Sequence, residues 1–214
     1  MQLKNLTRQQ LLEYLVAQLD HVFPDGRPFR PELDRHLDQA LSRLSHLIRA
    51  VRMWPEDQFD YLHSTQYAIF LYFLANTIWR EERAQEVCNK LFGLNKMLNG
   101  IDCFYEIQLP EIFFIGHTVG IVLAKATYGN YLVLYQNSTV GKNHGVAPVI
   151  EDRVVLYPNT SIIGRCQVRS GSIISQGTRV INRDTPGNCL VFDGSDGEVS
   201  FKPTTRDILA DFFR

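Results

Sequence analysis

Branched aliphatic residues return at every sixth position in the second half of the chain. An α-helix would repeat at 3.6 residues and a half-buried strand at two, so neither element explains this period. A period of six is typical of a parallel β-helix, in which three short strands form each coil and successive coils stack their apolar columns. The pattern therefore predicts a β-helix with a buried column formed by Ile150, Leu156, Ile162, Val168, Ile174 and Val180.

The same phase extends backwards through Val140, Leu134, Tyr128 and Val122. Ten residues separate Val140 from Ile150 where six are expected, so residues 141–149 are predicted to leave the coil as a loop. A β-sandwich, the alternative, would show turn signals about every 8–12 residues instead. The coil is favoured because turn-forming residues recur in phase between the column positions, where corners need tight or positive-φ backbone: Asn159, Gly164, Ser170, Gly171, Gly177 and Thr178.

The first hundred residues follow a helical period. Leucines at every fourth position predict a helix over residues 7–21, which Thr7 and Gln10 begin with a capping box. Three more helices are expected at 31–53, 57–79 and 81–98. The third is apolar on most faces and is predicted to lie at the centre of the helical layer. The fold class expected is thus α+β, a helical domain joined near residues 100–110 to a β-helix.

Composition narrows the function classes. The 214-residue chain is 45% hydrophobic and has a formal net charge of −1, which gives no electrostatic footprint for nucleic acid or an anionic membrane. The four cysteines lack metal-site spacing and are expected to be buried thiols, so no metal is predicted. The start of the chain lacks the apolar core of a signal peptide, and the longest apolar stretch, 67–79, is too short to span a bilayer. These features predict a cytoplasmic protein.

Four strings in the β-helix resemble serine acetyltransferases, a branch of the hexapeptide-repeat acyltransferase family. Residues 115–122 (IGHTVGIV) are similar to that family's Asp-His-Ala-Thr-Gly-Ile-Val-Val, and residues 135–141 (YQNSTVG) to its Leu-Gln-Ser-Val-Thr-Leu-Gly. Residues 148–150 (PVI) resemble Pro-Lys-Ile, and residues 174–180 (ISQGTRV) resemble Ile-Gly-Ala-Gly-Ser-Val-Val. The resemblance covers about residues 60–185 and is closest from His117 onward.

The resemblance implies a left-handed β-helix that assembles as a homotrimer, or as a dimer of trimers, with acetyl-CoA as co-substrate in the cleft between neighbouring coils. It divides the chain into a helical domain for oligomerisation and the acceptor side (1–105), the left-handed β-helix acyltransferase domain (106–188) and a tail (189–214). In the tail the sequence predicts short strands at 189–192 and 198–201, around a turn at 193–197, and then a helix from Thr204 or Thr205 to Phe213.

Acetyl transfer to a hydroxyl needs a general base, and a neutral imidazole with a pKa near its usual value of about 6.5 suits that task. The resemblance assigns this role to His117. It also implies a carboxylate that orients the imidazole, for which Glu106 in the string 106–110 (EIQLP) is the first candidate and Glu111 the second. His144, in the predicted loop, is a further candidate as hydrogen-bond donor or second base. The remaining histidines are expected to cap, pair or face solvent: His21, His36, His46 and His63.

For acetyl-CoA the resemblance points to small and basic positions on successive coils. Pro158 is a departure from the family's alanine and has no amide hydrogen to donate. The candidates are Gly141, Lys142, Pro158, Gln176, Arg179 and Arg183.

Two departures concern the acceptor. The aspartate that precedes the catalytic histidine in the family is Gly116 here, and the loop histidine of the family is Ala147. An amino-acid acceptor needs paired charges, whereas a sugar needs neutral groups such as Gln136 and Asn143.

The function expected is an acyl-CoA-dependent O-acetyltransferase for a small hydroxyl acceptor, most like the serine O-acetyltransferase of cysteine biosynthesis. A sugar O-acetyltransferase of surface polysaccharide synthesis is the alternative. A non-catalytic β-helix scaffold is the second alternative.

Overall fold

A computed structural model of the chain describes residues 1–195 and 197–214. They form a helical layer followed by a left-handed parallel β-helix, which confirms the expected fold class. The layer contains a short parallel pair, β1 (Gln2–Leu3) with β2 (Gln58–Phe59). Its helices are α1 (Arg8–Val22), α2 (Arg30–Ala50), α3 (Ser64–Glu82) and α4 (Gln85–Asn99). No helix in these described ranges has the length and apolar character needed to cross a membrane.

The helix termini follow the sequence closely. Thr7 and Gln10 form the predicted capping box, each side chain bonding the other residue's backbone N–H. Gly100 ends α4 in the left-handed conformation, with φ of 64°. Helix α3 is buried along most of its length and lies between α2 and α4, as its all-round apolar pattern predicts.

Several helix boundaries were predicted wrongly: α3 ends at Glu82 rather than at residue 79, and α4 begins at Gln85 rather than at residue 81. Helix α3 begins at Ser64 rather than at residue 57, because Gln58–Phe59 pair with the N-terminal strand and the His63 ring caps the helix. Helix α2 ends at Ala50 rather than Met53, since the chain after it bonds to the tail.

The β-helix has three faces, defined here by the order of their strands. The first face carries β4, β7, β10 and β13, the second β3, β5, β8, β11 and β14, and the third β6, β9 and β12. The strands are β3 (Asp102–Cys103), β4 (Phe113–Ile115), β5 (Val122–Leu123), β6 (Thr127–Tyr128), β7 (Leu132–Leu134), β8 (Thr139–Gly141), β9 (Val149–Ile150), β10 (Val155–Leu156), β11 (Ser161–Ile163), β12 (Gln167–Val168), β13 (Ile173–Ile174) and β14 (Arg179–Ile181).

The predicted column is buried except at its first position. Val140, Ile162 and Val180 are register partners with no exposed surface. Their partner in the first coil is Leu123, which is 4% exposed, and not Val122, which is 44% exposed. The prediction for Val122 is wrong because the next corner is one residue shorter, so five positions separate Leu123 from Tyr128.

The tail begins as predicted but ends differently. Strand β15 (Cys189–Asp193) extends the first face parallel to β13, and β16 (Val199–Pro203) returns antiparallel to it. Asp196, in the predicted turn, lies outside the described residues. The predicted terminal α-helix is wrong: a 3-10 helix at Ile208–Asp211 replaces it, since the strand continues to Pro203 and the chain must then reach α2.

The tail binds the two parts of the molecule together. Arg52 N donates to Phe212 O at 2.7 Å, and Arg214 N donates to Ala50 O at 2.9 Å. The Arg214 guanidinium donates to several carbonyls at the end of α2, including Val51 O at 2.5 Å and Trp54 O at 2.7 Å. The Phe212 ring meanwhile packs on the first face, 5.6 Å from the Phe114 ring.

Candidate active site

His117 lies in the corner that joins β4 on the first face to β5 on the second. This corner contains six residues, 116–121, whereas the next one down holds four, 135–138. The wider corner leaves the His117 side chain exposed. Among the described residues it has no hydrogen-bond or ion-pair partner, so both ring nitrogens are available to a ligand.

Gly116 and Tyr135 lie at equivalent positions of two successive coils, beside His117. Gly116 N donates to Leu134 O at 2.8 Å, which places Tyr135 directly below Gly116. A Cβ atom at position 116 would lie 2.5 Å from Cε1 of the Tyr135 ring, so this ring occupies the space that a side chain would need. The Tyr135 ring also stacks on Tyr157, with centroids 5.6 Å apart.

The two candidate carboxylates have other partners in the chain. Glu106 Oε2 accepts from Lys125 Nζ at 2.7 Å, and Glu111 lies 3.9 Å from the guanidinium of Arg43. Lys125 is 64% exposed at its side chain, whereas Arg43 is only 12% exposed. Glu106 is thus held by a charge-assisted hydrogen bond to a surface cation, whereas Glu111 has only a longer contact with a largely buried one.

The loop at 141–149 contains a tight two-residue turn at its tip. Asn143 and Val146 exchange both backbone hydrogen bonds at 3.0 Å, and His144 and Gly145 between them have φ of 47° and 81°. These are the signs of a type I′ hairpin turn. His144 projects from it, exposed to solvent, at the corner between the second and third faces.

Strand β8 separates the corners that carry His117 and His144. A single chain therefore places these two histidines at different corners of the triangular coil. The acetyl-CoA candidates divide in the same way. Pro158 and Gln176 lie on the His117 corner two and three coils further on, and Arg179 lies on the second face.

Gly141, Lys142 and Arg183 belong to the corner of the loop. An open cleft of about 760 Å³ lies there, lined by Val146, Ala147, Arg165 and Arg183 among others. Arg183 pairs with Glu198 at 3.2 Å and lies over the Phe201 ring. Lys142, Arg165 and Arg179 form no ion pair with any described residue.

The other chemical groups behave as the sequence predicts. All four cysteines are free and buried, and burial raises the pKa of Cys88 to about 12. His63 caps α3, His36 Nε2 lies 2.8 Å from Glu82 Oε1, and His21 and His46 are exposed. The feature missed from the sequence is the stack of Tyr135 on Tyr157, although their spacing of 22 residues is one coil plus the four-residue loop insertion.

The comparisons with known proteins agree with the fold and the motifs. No family model matches the chain. A serine acetyltransferase of Synechococcus elongatus is 28% identical over 134 residues, which cover 59% of this chain and 53% of that protein. A second serine acetyltransferase of that organism is 30% identical over 106 residues, or 43% of this chain and 33% of its own length. The match thus spans about half or less of these relatives.

Solved structures match over nearly the whole chain. The serine acetyltransferase of Vibrio cholerae superposes with a TM-score of 0.71 at 16% identity, covering 95% of this chain and 83% of that one. The Neisseria gonorrhoeae serine acetyltransferase in complex with serine gives 0.69 at 19% identity, over 94% and 85% of the two chains. The resemblance that the four strings carry is confirmed by sequence and by structure.

Proposed function

We propose that the protein is an acetyl-CoA-dependent O-acetyltransferase of the serine acetyltransferase type. The observation that carries this proposal is His117: an exposed imidazole without a partner among the described residues, on a widened corner of the β-helix, within the string most similar to that family. The homology to serine acetyltransferases supports the same reaction class.

His117 acts as the general base. Its free ring nitrogen takes the proton of the acceptor hydroxyl as the oxygen attacks the acetyl thioester. The C–S bond then breaks, so that the acetyl group stays on the acceptor, and the imidazolium returns the proton to the departing CoA thiolate. Backbone N–H groups near the loop stabilise the tetrahedral oxyanion. A covalent acetyl-cysteine step is disfavoured, because the cysteines are buried and burial raises the pKa of Cys88 and Cys103.

Glu106 is the preferred orienting carboxylate. Its partner Lys125 is a surface cation, and an exposed pair of this kind contributes little to stability. Glu111 is a poorer choice, because its removal from Arg43 would leave a largely buried guanidinium with less compensation.

The loop corner fits acetyl-CoA, which supplies the activated acetyl group. A Cβ atom at Gly141 would lie 2.7 Å from Ile163 Cδ1, so the strand surface is open only because no side chain is present. Lys142, Arg165 and Arg179, which pair with no carboxylate in the described part of the chain, offer cations for phosphates. Arg183 would first have to leave Glu198.

A complete site requires a neighbouring subunit. Because His117 and the loop lie at different corners of one chain, a trimer that sets the His117 corner of one subunit against the loop corner of the next unites them. The candidate residues for acetyl-CoA, which lie at different corners of one chain, come together in the same cleft between subunits. His144 then reaches the site from the adjacent chain.

The test is release of CoA thiol from acetyl-CoA with a panel of hydroxyl acceptors. We expect His117→Ala to lower kcat by about 10²–10⁴-fold with the KM for acetyl-CoA nearly unchanged, which is the usual effect of losing a general base. His46→Ala, at an exposed helix position, is the matched control and should keep full activity. Equal activity of His117→Ala and the wild type would refute the proposed base.

A further inference from the structure

Tyr135 and Gln136 form the part of the His117 corner that the proposed mechanism leaves unused. They follow β7 and lie one coil below Gly116. Tyr135 is half-buried, and its hydroxyl forms no hydrogen bond with a described residue. Gln136 Oε1 is buried and likewise has no hydrogen-bond partner in the described chain.

The Tyr135 ring occupies the space beside position 116 because Gly116 has no side chain. A Cβ atom at position 116 would lie 2.5 Å from Tyr135 Cε1 and 3.1 Å from Cζ, the carbon that bears the hydroxyl. A side chain at position 116 and the Tyr135 ring therefore exclude each other. The family strings carry aspartate and leucine at these two positions, so this chain replaces a carboxylate beside the histidine with a phenol.

The groups that the same chain places around this phenol are neutral. Within residues 1–195 and 197–214, no charged side chain forms a hydrogen bond or ion pair with His117, Tyr135 or Gln136. Burial and the neighbouring Tyr157 raise the pKa of the Tyr135 hydroxyl, so it remains protonated at neutral pH. Asp211 raises and Arg206 lowers the pKa of the neighbouring Tyr157, and these two side chains pair with each other at 3.0 Å.

A binding site lined by neutral groups of this kind discriminates between acceptors. On binding, a zwitterionic amino acid would lose the hydration of its ammonium and carboxylate groups without forming ion pairs in its place, which is strongly unfavourable. A sugar hydroxyl both donates and accepts hydrogen bonds, and so can satisfy the Tyr135 hydroxyl and the Gln136 amide.

We infer that Tyr135 binds the acceptor and sets its specificity, together with Gln136, so that the protein acetylates an uncharged polyhydroxy compound of the sugar class in preference to serine. The inference rests on the proposed function. It identifies the acceptor class of that same site.

The experiment compares kcat/KM for methyl hexopyranosides, L-serine and N-acetyl-L-serinamide, which keeps the serine hydroxyl but carries no charge. We expect the wild type to favour a pyranoside over serine by at least tenfold, and the serinamide over serine. Tyr135→Phe removes only the hydroxyl and should lower pyranoside kcat/KM about 5- to 10-fold, the effect of one lost hydrogen bond. The double variant Gly116→Asp/Tyr135→Leu should shift the preference towards serine.

The KM for acetyl-CoA and the thermal unfolding midpoint serve as controls for folding, and Arg206→Gln should leave acceptor preference unchanged. Three results would overturn the inference: a tenfold preference of the wild type for serine, no effect of Tyr135→Phe on any acceptor, or loss of serine transfer in Arg206→Gln. Absence of thiol release with every acceptor would instead refute the proposed function, and the inference with it.

Discussion

Gly129 marks a point where two coils touch through their backbones. A Cβ atom at this position would press against the backbone nitrogen of Asp152 and the carbonyl carbon of Glu151 in the next coil. Asp152 is itself fixed there, because its Oδ1 accepts from Asn130 N at 2.7 Å. Backbone atoms cannot move aside as a flexible side chain can, so the spacing of the coils depends on this missing methyl group.

We therefore expect Gly129→Ala to reduce the free energy of unfolding by about 3 kcal/mol, at the upper end of the usual effect of overpacking. Gly145→Ala is the matched control: its Cβ would meet nothing within 4 Å, and only its φ of 81° opposes the change. That control should lose about 1 kcal/mol. Urea unfolding measures both values, and equal losses would show that the coil contact tolerates the methyl group.

At the scale of the element, the sequence predicted the periodic coil correctly. It failed for elements whose boundaries or type are set by contacts with distant parts of the chain. The six-residue period located the coil and its loop, because each column residue must point inward in every turn. The period was wrong at Val122, where a corner shortens by one residue. The start of α3 and the tail helix were wrong since pairing with β1 and docking on α2 override local preference. The motif located His117, but only the register showed that Tyr135 fills the space beside Gly116.

Asn76 on α3 joins the helical layer to the entry of the coil. It is fully buried, its Nδ2 donates to Tyr105 O at 2.8 Å, and its Oδ1 accepts from Arg43 at 2.9 Å. Asn76→Leu would leave a buried carbonyl and a largely buried guanidinium short of partners.

We expect Asn76→Leu to reduce the free energy of unfolding by about 3 kcal/mol, the upper end of the cost of leaving a buried hydrogen-bonding group unpaired. Asn89→Leu is the control, since Asn89 is exposed and its side chain accepts a single hydrogen bond within the described residues, from the Tyr105 hydroxyl at 2.9 Å. It should lose about 1 kcal/mol. A denaturant melt in which both variants unfold at the same midpoint would contradict the role given to Asn76.

For the whole molecule, the separation of His117 from the loop predicts a trimer with its sites between subunits. Light scattering should give three times the 24.6-kDa chain mass, or six times if two trimers join. A deletion variant that lacks residues 143–146 can test where the sites lie. The deletion restores the six-residue spacing of the column and removes only the loop tip.

Mixed trimers of that deletion chain and His117→Ala should regain activity, because some clefts combine an intact His117 with an intact loop. Each chain alone should be inactive. Mixed trimers that form without activity would place the whole site within one chain.

The antiparallel return of β16 along β15 also has a consequence for solubility. A stack of parallel coils ends in an open edge that another chain can extend, which is a route to fibres. On the first face β16 covers that edge with a strand of opposite direction, whose final residues are Lys202 and Pro203. Proline offers no N–H to an incoming strand, and the lysine charge disfavours its approach. The hairpin thus limits the growth of the solenoid on this face to the coils that the chain itself supplies.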